Sequence, residues 1–127
     1  MDLLNILRRR KAQLIFTIEG TSFLKKINIY ENIIKIKRLE GYKPIDNNKW
    51  IIKEKNEIYI SDINIFLSIS KTPVELLWQE NSQKYLLGNN SKTKTLVNGK
   101  KISGVGQILS DKDQVKIGGL SFQILYS

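Results

Sequence analysis

Turns occur at short, regular intervals along the chain, and this spacing constrains the fold more than any other feature of the sequence. Two of them, Asn98-Gly99 and Gly118-Gly119, are dipeptides that accept positive φ and typically join the two strands of a hairpin. Between the turns lie segments rich in Ile, Val, Leu and aromatic residues. We predict strands at residues 14–18, 23–30, 34–37, 50–53, 57–60, 63–69, 74–79, 84–87, 95–97, 114–117 and 120–125. Many short strands with regular turns predict an all-β fold, either a sandwich or a barrel.

The N-terminal segment has a different pattern. Four apolar residues recur there with helical spacing: Leu3, Leu4, Ile6 and Leu7. Basic residues follow them, as is favourable at the C-terminal end of a helix. We therefore expect a short basic amphipathic helix in residues 1–11, ahead of a β-sandwich domain in residues 12–127. Such a helix could contact a membrane surface weakly, although so short a helix more often packs on its own domain.

The sequence lacks two residue types on which much of hydrolytic and metal chemistry depends. The 127 residues include no Cys and no His. Disulfides, thiolate metal sites, Ser-His-Asp triads and His-ligated zinc are therefore excluded. The carboxylates are scattered singly, and Gly104-Val105-Gly106 lacks the helix and lysine of a P-loop. We expect no enzyme activity, no catalytic residue, no metal and no cofactor.

The charge balance is basic, with 21 Lys and Arg against 12 Asp and Glu and a net charge of +9. Such a balance favours an anionic partner, whether nucleic acid, a phosphorylated protein or an anionic membrane, and it is equally compatible with a lysine-rich surface that binds nothing. Five aromatic residues could stack on bases, although aromatic residues in strands more often belong to a core: Tyr30, Tyr42, Trp50, Tyr59 and Trp78. No segment approaches the roughly 20 apolar residues of a membrane span. The N-terminus also differs from a secretory signal, so we expect a cytoplasmic protein without a transmembrane segment.

The last third of the chain resembles a known family. Residues 96–102, 109–118 and 122–124 are similar to the C-terminal half of the forkhead-associated (FHA) domain. In that family a "T-x-V-N-G" turn, an "L-x-x-G-D-x-I-x-I-G" strand and a final "F-x-F/I" strand follow one another. The resemblance implies a β-sandwich of two mostly antiparallel sheets, in agreement with the strand pattern. Its structural motif falls on Asn98, Gly99, Asp113 and Gly118. Because Asp113 lies at a turn, we expect its carboxylate to accept hydrogen bonds from nearby backbone or hydroxyl groups.

Members of the FHA family bind phosphothreonine peptides through loops at one end of the sandwich. The resemblance implies that Ser70, Lys71 and Ser91 face phosphate, because they match the family's "S-R-x-H" and "S-x-N-G-T" motifs. Lys53 falls, less closely, on the arginine of the family's "I-G-R" strand. Three more residues add charge or a hydroxyl to the same loop as Ser91: Lys92, Thr93 and Lys94.

The same motifs depart from the family at positions that matter for phosphate. Pro73 replaces the family's histidine, and Thr93 and Lys94 replace its Asn-Gly pair. A lysine in place of arginine also loses bidentate geometry. We therefore predict a non-enzymatic interaction module that docks to a protein partner without a strict need for phosphothreonine. One alternative is a phosphothreonine-peptide binding domain in signalling. Another is a basic RNA-binding module, because "V-N-G-K-K-I" before such a strand also occurs in small RNA-binding domains.

Overall fold

The structure, a computed structural model, describes residues 9–69, 71, 73–89, 94–102 and 106–127. The strands are β1 (Ala12–Ile18), β2 (Leu24–Ile29), β3 (Ile33–Arg38), β4 (Ile51–Glu54), β5 (Glu57–Ile60), β6 (Val74–Gln79), β7 (Lys84–Asn89), β8 (Thr95–Val97), β9 (Lys100–Lys101), β10 (Gln107–Ile108), β11 (Gln114–Ile117) and β12 (Leu120–Tyr126). Within these described ranges, two short 3₁₀ helices accompany them: η1 (Asn47–Lys49) and η2 (Asn64–Phe66).

The strands form two six-stranded sheets. Sheet A has the order β2-β1-β12-β11-β8-β9, and sheet B has the order β10-β7-β6-β3-β5-β4. The paired strands run antiparallel, except that β3 and β5 run parallel. The predicted all-β sandwich of two mostly antiparallel sheets is confirmed.

The core lies between the sheets and follows from the alternation of apolar residues along each strand. In β1, Leu14 and Phe16 are completely buried, and Phe16 packs against Phe122 of β12 with a ring-centroid distance of 5.4 Å. Sheet B contributes Ile34 of β3 and Leu76 of β6, which are also completely buried. Burying each such side chain contributes about 1.5–3 kcal/mol. The period of two in the sequence therefore selects the inner face of each sheet.

The predicted strand at residues 63–69 is wrong. The segment instead forms η2 and the turn that follows it, with Phe66 and Ile69 buried while Ile65 and Leu67 are exposed. Burial every third residue is the period of a 3₁₀ helix and differs from the alternation of a strand. The prediction also missed β9 and β10, each of which has two exposed residues and so no apolar alternation to reveal it.

Most of the predicted N-terminal helix, residues 1–8, lies outside the described residues. Residues 9–11 are not helical. Lys11 instead extends the edge of β1, because its N–H donates to the carbonyl of Ile29 and its carbonyl accepts from the N–H of Ser127. Among the described residues, no helix is long and apolar enough to cross a membrane.

The strand directions define two ends of the sandwich. We call apical the end at which β3, β5, β7 and β11 finish, and basal the end at which β3 and β11 begin. The loop 39–50, which contains η1, lies at the apical end because it leaves β3 and enters β4 there. At this end Gly118, which follows β11 of sheet A, packs against the turn after η2, since a Cβ on it would lie 2.6 Å from Oγ of Ser68.

Candidate functional site

Lys53 lies near the basal end of β4. Its Nζ is 2.6 Å from Oε2 of Glu31, which precedes β3, and both side chains are only 18% exposed. The carbonyl of the same Glu31 accepts a hydrogen bond from the hydroxyl of the fully buried Tyr85. The structure therefore places Lys53 in an internal ion pair at the end opposite to the predicted phosphate site.

Lys71 and Lys94 do lie at the apical end. Lys71 comes shortly before β6, and its Nζ is 3.0 Å from Oε1 of Glu40. Lys94 is exposed and directly precedes β8. The remaining candidates, Ser70, Ser91, Lys92 and Thr93, lie outside the described residues. Of the seven predicted phosphate-facing residues, the structure thus brings two described lysines to one end and separates Lys53 from them.

Arg38, which the sequence interpretation missed, is the last residue of β3 and lies at the apical end. Its Nη1 donates to the carbonyl of Leu67 at 2.9 Å and to that of Phe66 at 3.3 Å. Its Nε is 3.4 Å from Oδ1 of Asp62, and the arginine side chain is only 11% exposed. The sequence contained one signal for Arg38: Ile34 and Ile36 alternate along the strand, and Arg38 is the next position of that alternation. The predicted strand stopped one residue short of it.

Asp62 links the loop 39–50 to Arg38. Its Oδ2 accepts a hydrogen bond from the N–H of Gly41 at 3.1 Å. This bond lowers the pKa of the Asp62 carboxyl below its usual value, and the nearby charges of Arg38, Lys43 and Lys71 lower it further. Asp62 is therefore ionised near neutral pH and offsets part of the positive charge at the apical end.

Among the described residues of the apical loops, four apolar side chains are exposed. Leu39 follows Arg38, Ile45 lies in the loop 39–50, and Ile65 and Leu67 belong to η2 and its C-terminal turn. Ile45 is fully exposed. Such side chains lose contact with water when a partner covers them, so this end offers apolar as well as charged contacts.

Asn98, Gly99 and Asp113 of the predicted structural motif lie at the basal end, whereas Gly118 follows β11 at the apical end. Oδ2 of Asp113 accepts a hydrogen bond from the N–H of Ser110 at 2.8 Å, and Oδ1 accepts one from Nδ2 of Asn98 at 2.9 Å. Oδ1 of Asn98 in turn accepts from the N–H of Gln114 at 2.9 Å. Asn98 and Gly99 have φ values of 50° and 81°, which matches a tight hairpin turn. The observed hydrogen bonds agree with the expectation for Asp113, and they attach the β8–β9 hairpin to the start of β11.

Comparison with known proteins agrees with this architecture. The family model for the FHA domain matches residues 53–118, which is more than half of the chain. Comparison with curated protein sequences finds no match.

Among solved structures, the FHA domain of an Arabidopsis thaliana hypothetical protein is similar with a TM-score of 0.59 and 18% identity, over 92% of this chain and 86% of that one. The FHA domain of the CT664 protein from Chlamydia trachomatis has a TM-score of 0.58 and 14% identity, over 91% of this chain and 98% of that one. Mycobacterium tuberculosis EmbR in complex with a low affinity phosphopeptide has a TM-score of 0.59 and 15% identity, over 98% of this chain and 28% of that one.

The strand order, the two-sheet packing and the family match over more than half of the sequence all lead to the same assignment. This chain belongs to the FHA domain family.

Proposed function

We propose that residues 12–127 form a non-enzymatic interaction module that docks to a protein partner at its apical end, without a strict need for phosphothreonine. One observation carries this proposal. Nη1 of Arg38, the forked cation of the apical end, already donates to two main-chain carbonyls of the domain, and its Nε is ion-paired with Asp62.

Phosphate recognition depends on cationic donors that are free to form short, charge-assisted hydrogen bonds. Nη1 of Arg38 donates to two main-chain carbonyls, and its Nε faces Asp62. Lys71 is paired with Glu40. Nη1 of Arg38 and Nζ of Lys71 would each have to leave a present partner to bind phosphate, which reduces the net gain from those two donors. A lysine also cannot supply the planar fork of arginine.

Apolar contact can supply the affinity that phosphate does not. Leu39 is 36% exposed, Ile65 41% and Leu67 56%, and all three lie in apical loops. Protein interfaces combine an apolar centre with a polar rim, and here the charged residues Asp62 and Lys71 flank Ile65 and Leu67 in sequence. We infer a partner that presents apolar side chains with polar groups around them.

Phosphothreonine-peptide binding is the second candidate function. It is supported by similar structures that contain peptides, namely the EmbR complex with a low affinity phosphopeptide and an engineered FHA domain with a peptide called Myc-pTBD. The exposed Lys94 at the apical end would also favour a phosphorylated partner. RNA binding stays a prediction that rests on the net charge of +9.

A peptide array separates the two candidates. Each peptide is synthesised with threonine and with phosphothreonine, and binding is measured for the unmodified chain and for Ser70→Ala. For each peptide that binds, we expect the threonine and phosphothreonine forms to have affinities within about threefold of each other. A preference of tenfold or more for phosphothreonine, equivalent to about 1.4 kcal/mol, that Ser70→Ala removes would instead establish the second candidate.

A matched pair of substitutions tests the apical apolar contacts. Ile65 in η2 and Ile108 in β10 are each 41% exposed, so Ile65→Ser and Ile108→Ser remove the same exposed side chain from two different surfaces. We expect only Ile65→Ser to weaken binding of the selected peptides. Equal effects of the two substitutions would contradict docking at the apical end.

A further inference from the structure

A groove of about 710 Å³ lies at the basal end, away from the proposed docking surface. Its first wall is the basic segment of Arg9, Arg10 and Lys11, which leads into β1. Its second wall contains Trp78 at the basal end of β6 and Tyr126 at the end of β12. We call it the basal groove.

The cations of the basal groove are not held in ion pairs within the described part of the domain. None of Arg9, Arg10 and Lys11 forms an ion pair with a described residue. Arg10 has neutral partners, since its Nε donates to Oγ of Ser127 at 2.9 Å and its Nη1 to Oδ1 of Asn28 at 3.4 Å. The groove therefore concentrates three cationic side chains on one wall.

The neighbouring carboxylates already accept hydrogen bonds from uncharged donors. Oε2 of Glu80 accepts from the indole N–H of Trp78 at 2.9 Å. Oδ1 of Asp111 accepts from the backbone N–H of Tyr126 at 2.9 Å. Glu80 and Asp111 keep their negative charge beside the aromatic wall, but neither forms an ion pair with a described cation of the basic wall.

We propose that the basal groove binds an acidic, Glu- or Asp-rich peptide segment of a protein partner. Carboxylates of the peptide would pair with Arg9 and Arg10, whose guanidinium groups match carboxylate geometry. The ammonium of Lys11 lies 5.0 Å from the centre of the Trp78 ring, so this cation–π contact holds a third positive charge beside the two arginines.

The aromatic wall is less suited to nucleic acid. Recognition of single-stranded nucleic acid uses open aromatic faces on which bases stack. The Trp78 ring is covered by Lys11, and it contacts the Tyr85 ring at a centroid distance of 4.9 Å. Tyr126 is itself stacked on Tyr85 with an interplanar angle of 15°. The observations therefore favour a peptide over a nucleic acid.

Trp78 provides the reporter for a direct test. The chain contains two tryptophans, so Trp50→Phe leaves Trp78 as the only one. Its fluorescence is titrated with a short peptide of alternating Glu and Gly, and with the same peptide carrying Gln in place of Glu. We expect saturable binding of the Glu peptide only, which weakens as salt rises from about 0.05 M to about 0.5 M because screening shortens the range of the charges.

A charge-matched pair of double variants tests whether the groove is the site. Arg9→Ser with Arg10→Ser removes two positive charges from the groove. Lys100→Ser with Lys101→Ser removes two from β9, which lies three strands beyond β12 in sheet A. Both lysines are exposed. We expect about a tenfold loss of affinity in the first variant, since each ion pair contributes modestly, and less than twofold in the second.

Four results would overturn the proposal. They are equal binding of the Gln peptide, no binding of the Glu peptide, equal losses in the two double variants, and tighter binding of oligothymidylate or phosphatidylserine vesicles than of the Glu peptide. Melting temperatures show whether each variant is folded. Arg9→Ser alone, which keeps the hydrogen bonds of Arg10, replaces the double variant if the latter unfolds, and it should still lower the affinity several-fold. None of these results depends on whether the apical end binds a partner.

Discussion

Arg38→Lys tests whether Arg38 is primarily a structural residue of the apical end. The substitution keeps the positive charge near Asp62 but removes the planar fork that reaches the carbonyls of Phe66 and Leu67. η2 and its C-terminal turn would then lose their side-chain attachment to β3. The effect on stability should therefore exceed that of an ordinary surface substitution.

The magnitude follows from the two lost hydrogen bonds. A hydrogen bond to a charged group contributes about 1.5–3 kcal/mol when it is shielded from water. The Arg38 side chain is 11% exposed, but the bond to Leu67 lies near solvent, and the lysine ammonium can recover part of one bond. We expect a loss of about 1–3 kcal/mol in the free energy of unfolding. For a chain of this length that corresponds to a decrease of roughly 4–12 °C in Tm.

Urea denaturation followed by tryptophan fluorescence gives the measurement. Trp50 is a suitable probe because its ring lies 6.1 Å from that of Phe66 in η2. Arg10→Lys is the matched control, since Arg10 makes exposed hydrogen bonds to uncharged side chains. It should cost no more than about 0.5 kcal/mol, the usual range for a surface substitution.

The same variant distinguishes a structural from a phosphate-binding role. If Arg38 is structural, Arg38→Lys leaves the ratio of binding to phosphorylated and unphosphorylated peptides unchanged. Equal stability of Arg38→Lys and Arg10→Lys would refute the structural argument. A selective loss of phosphopeptide binding in Arg38→Lys would show that this arginine exchanges its internal partners for phosphate.

Three further predictions concern the basal end and the pH dependence of stability. Tyr126→Phe should lower the free energy of unfolding by about 2–4 kcal/mol, measured in urea, because it leaves the N–H of Tyr85 and the carbonyl of Leu109 without their hydroxyl partner. Asp113→Ala should cost about 1–3 kcal/mol, and an unchanged Tm would argue against its role in holding the hairpin. Since the folded-state pKa of Asp62 is lowered, its contribution is present above the ordinary value of 3.8 and is lost as pH falls through the folded-state pKa. Asp62→Asn should therefore reduce the loss of stability on acidification below about pH 4, and an identical acid transition in both proteins would contradict this.

Local sequence was sufficient to predict most strands and the turns that join them. In β1 the alternation of Leu14, Phe16 and Ile18 determines which face is buried, whatever the rest of the chain does. The Asn98-Gly99 turn was equally predictable, because its positive φ values suit few other dipeptides. The family resemblance followed from the same local features.

The failed strand at residues 63–69 shows where local pattern is ambiguous. Ile63, Phe66 and Ile69 fit a period of three, while the apolar side chains between them fit a strand equally well. Contacts with distant parts of the chain decide the conformation of residues 63–69. Arg38 binds the carbonyls of residues 66 and 67, and Gly118 leaves room for Ser68 against sheet A.

The candidate site could be predicted only in part, for a related reason. Chain order placed Lys53 at the family's arginine position, but the pairing of the strands decides which end of the sheet each side chain reaches. Because β5 runs parallel to β3, with β4 beyond it, Arg38 finishes at the apical end while Lys53 points to Glu31 at the basal end. Strand formation depends on neighbouring residues and is encoded locally. The direction and partner of each strand depend on contacts between distant segments, and these are settled only when the two sheets pack.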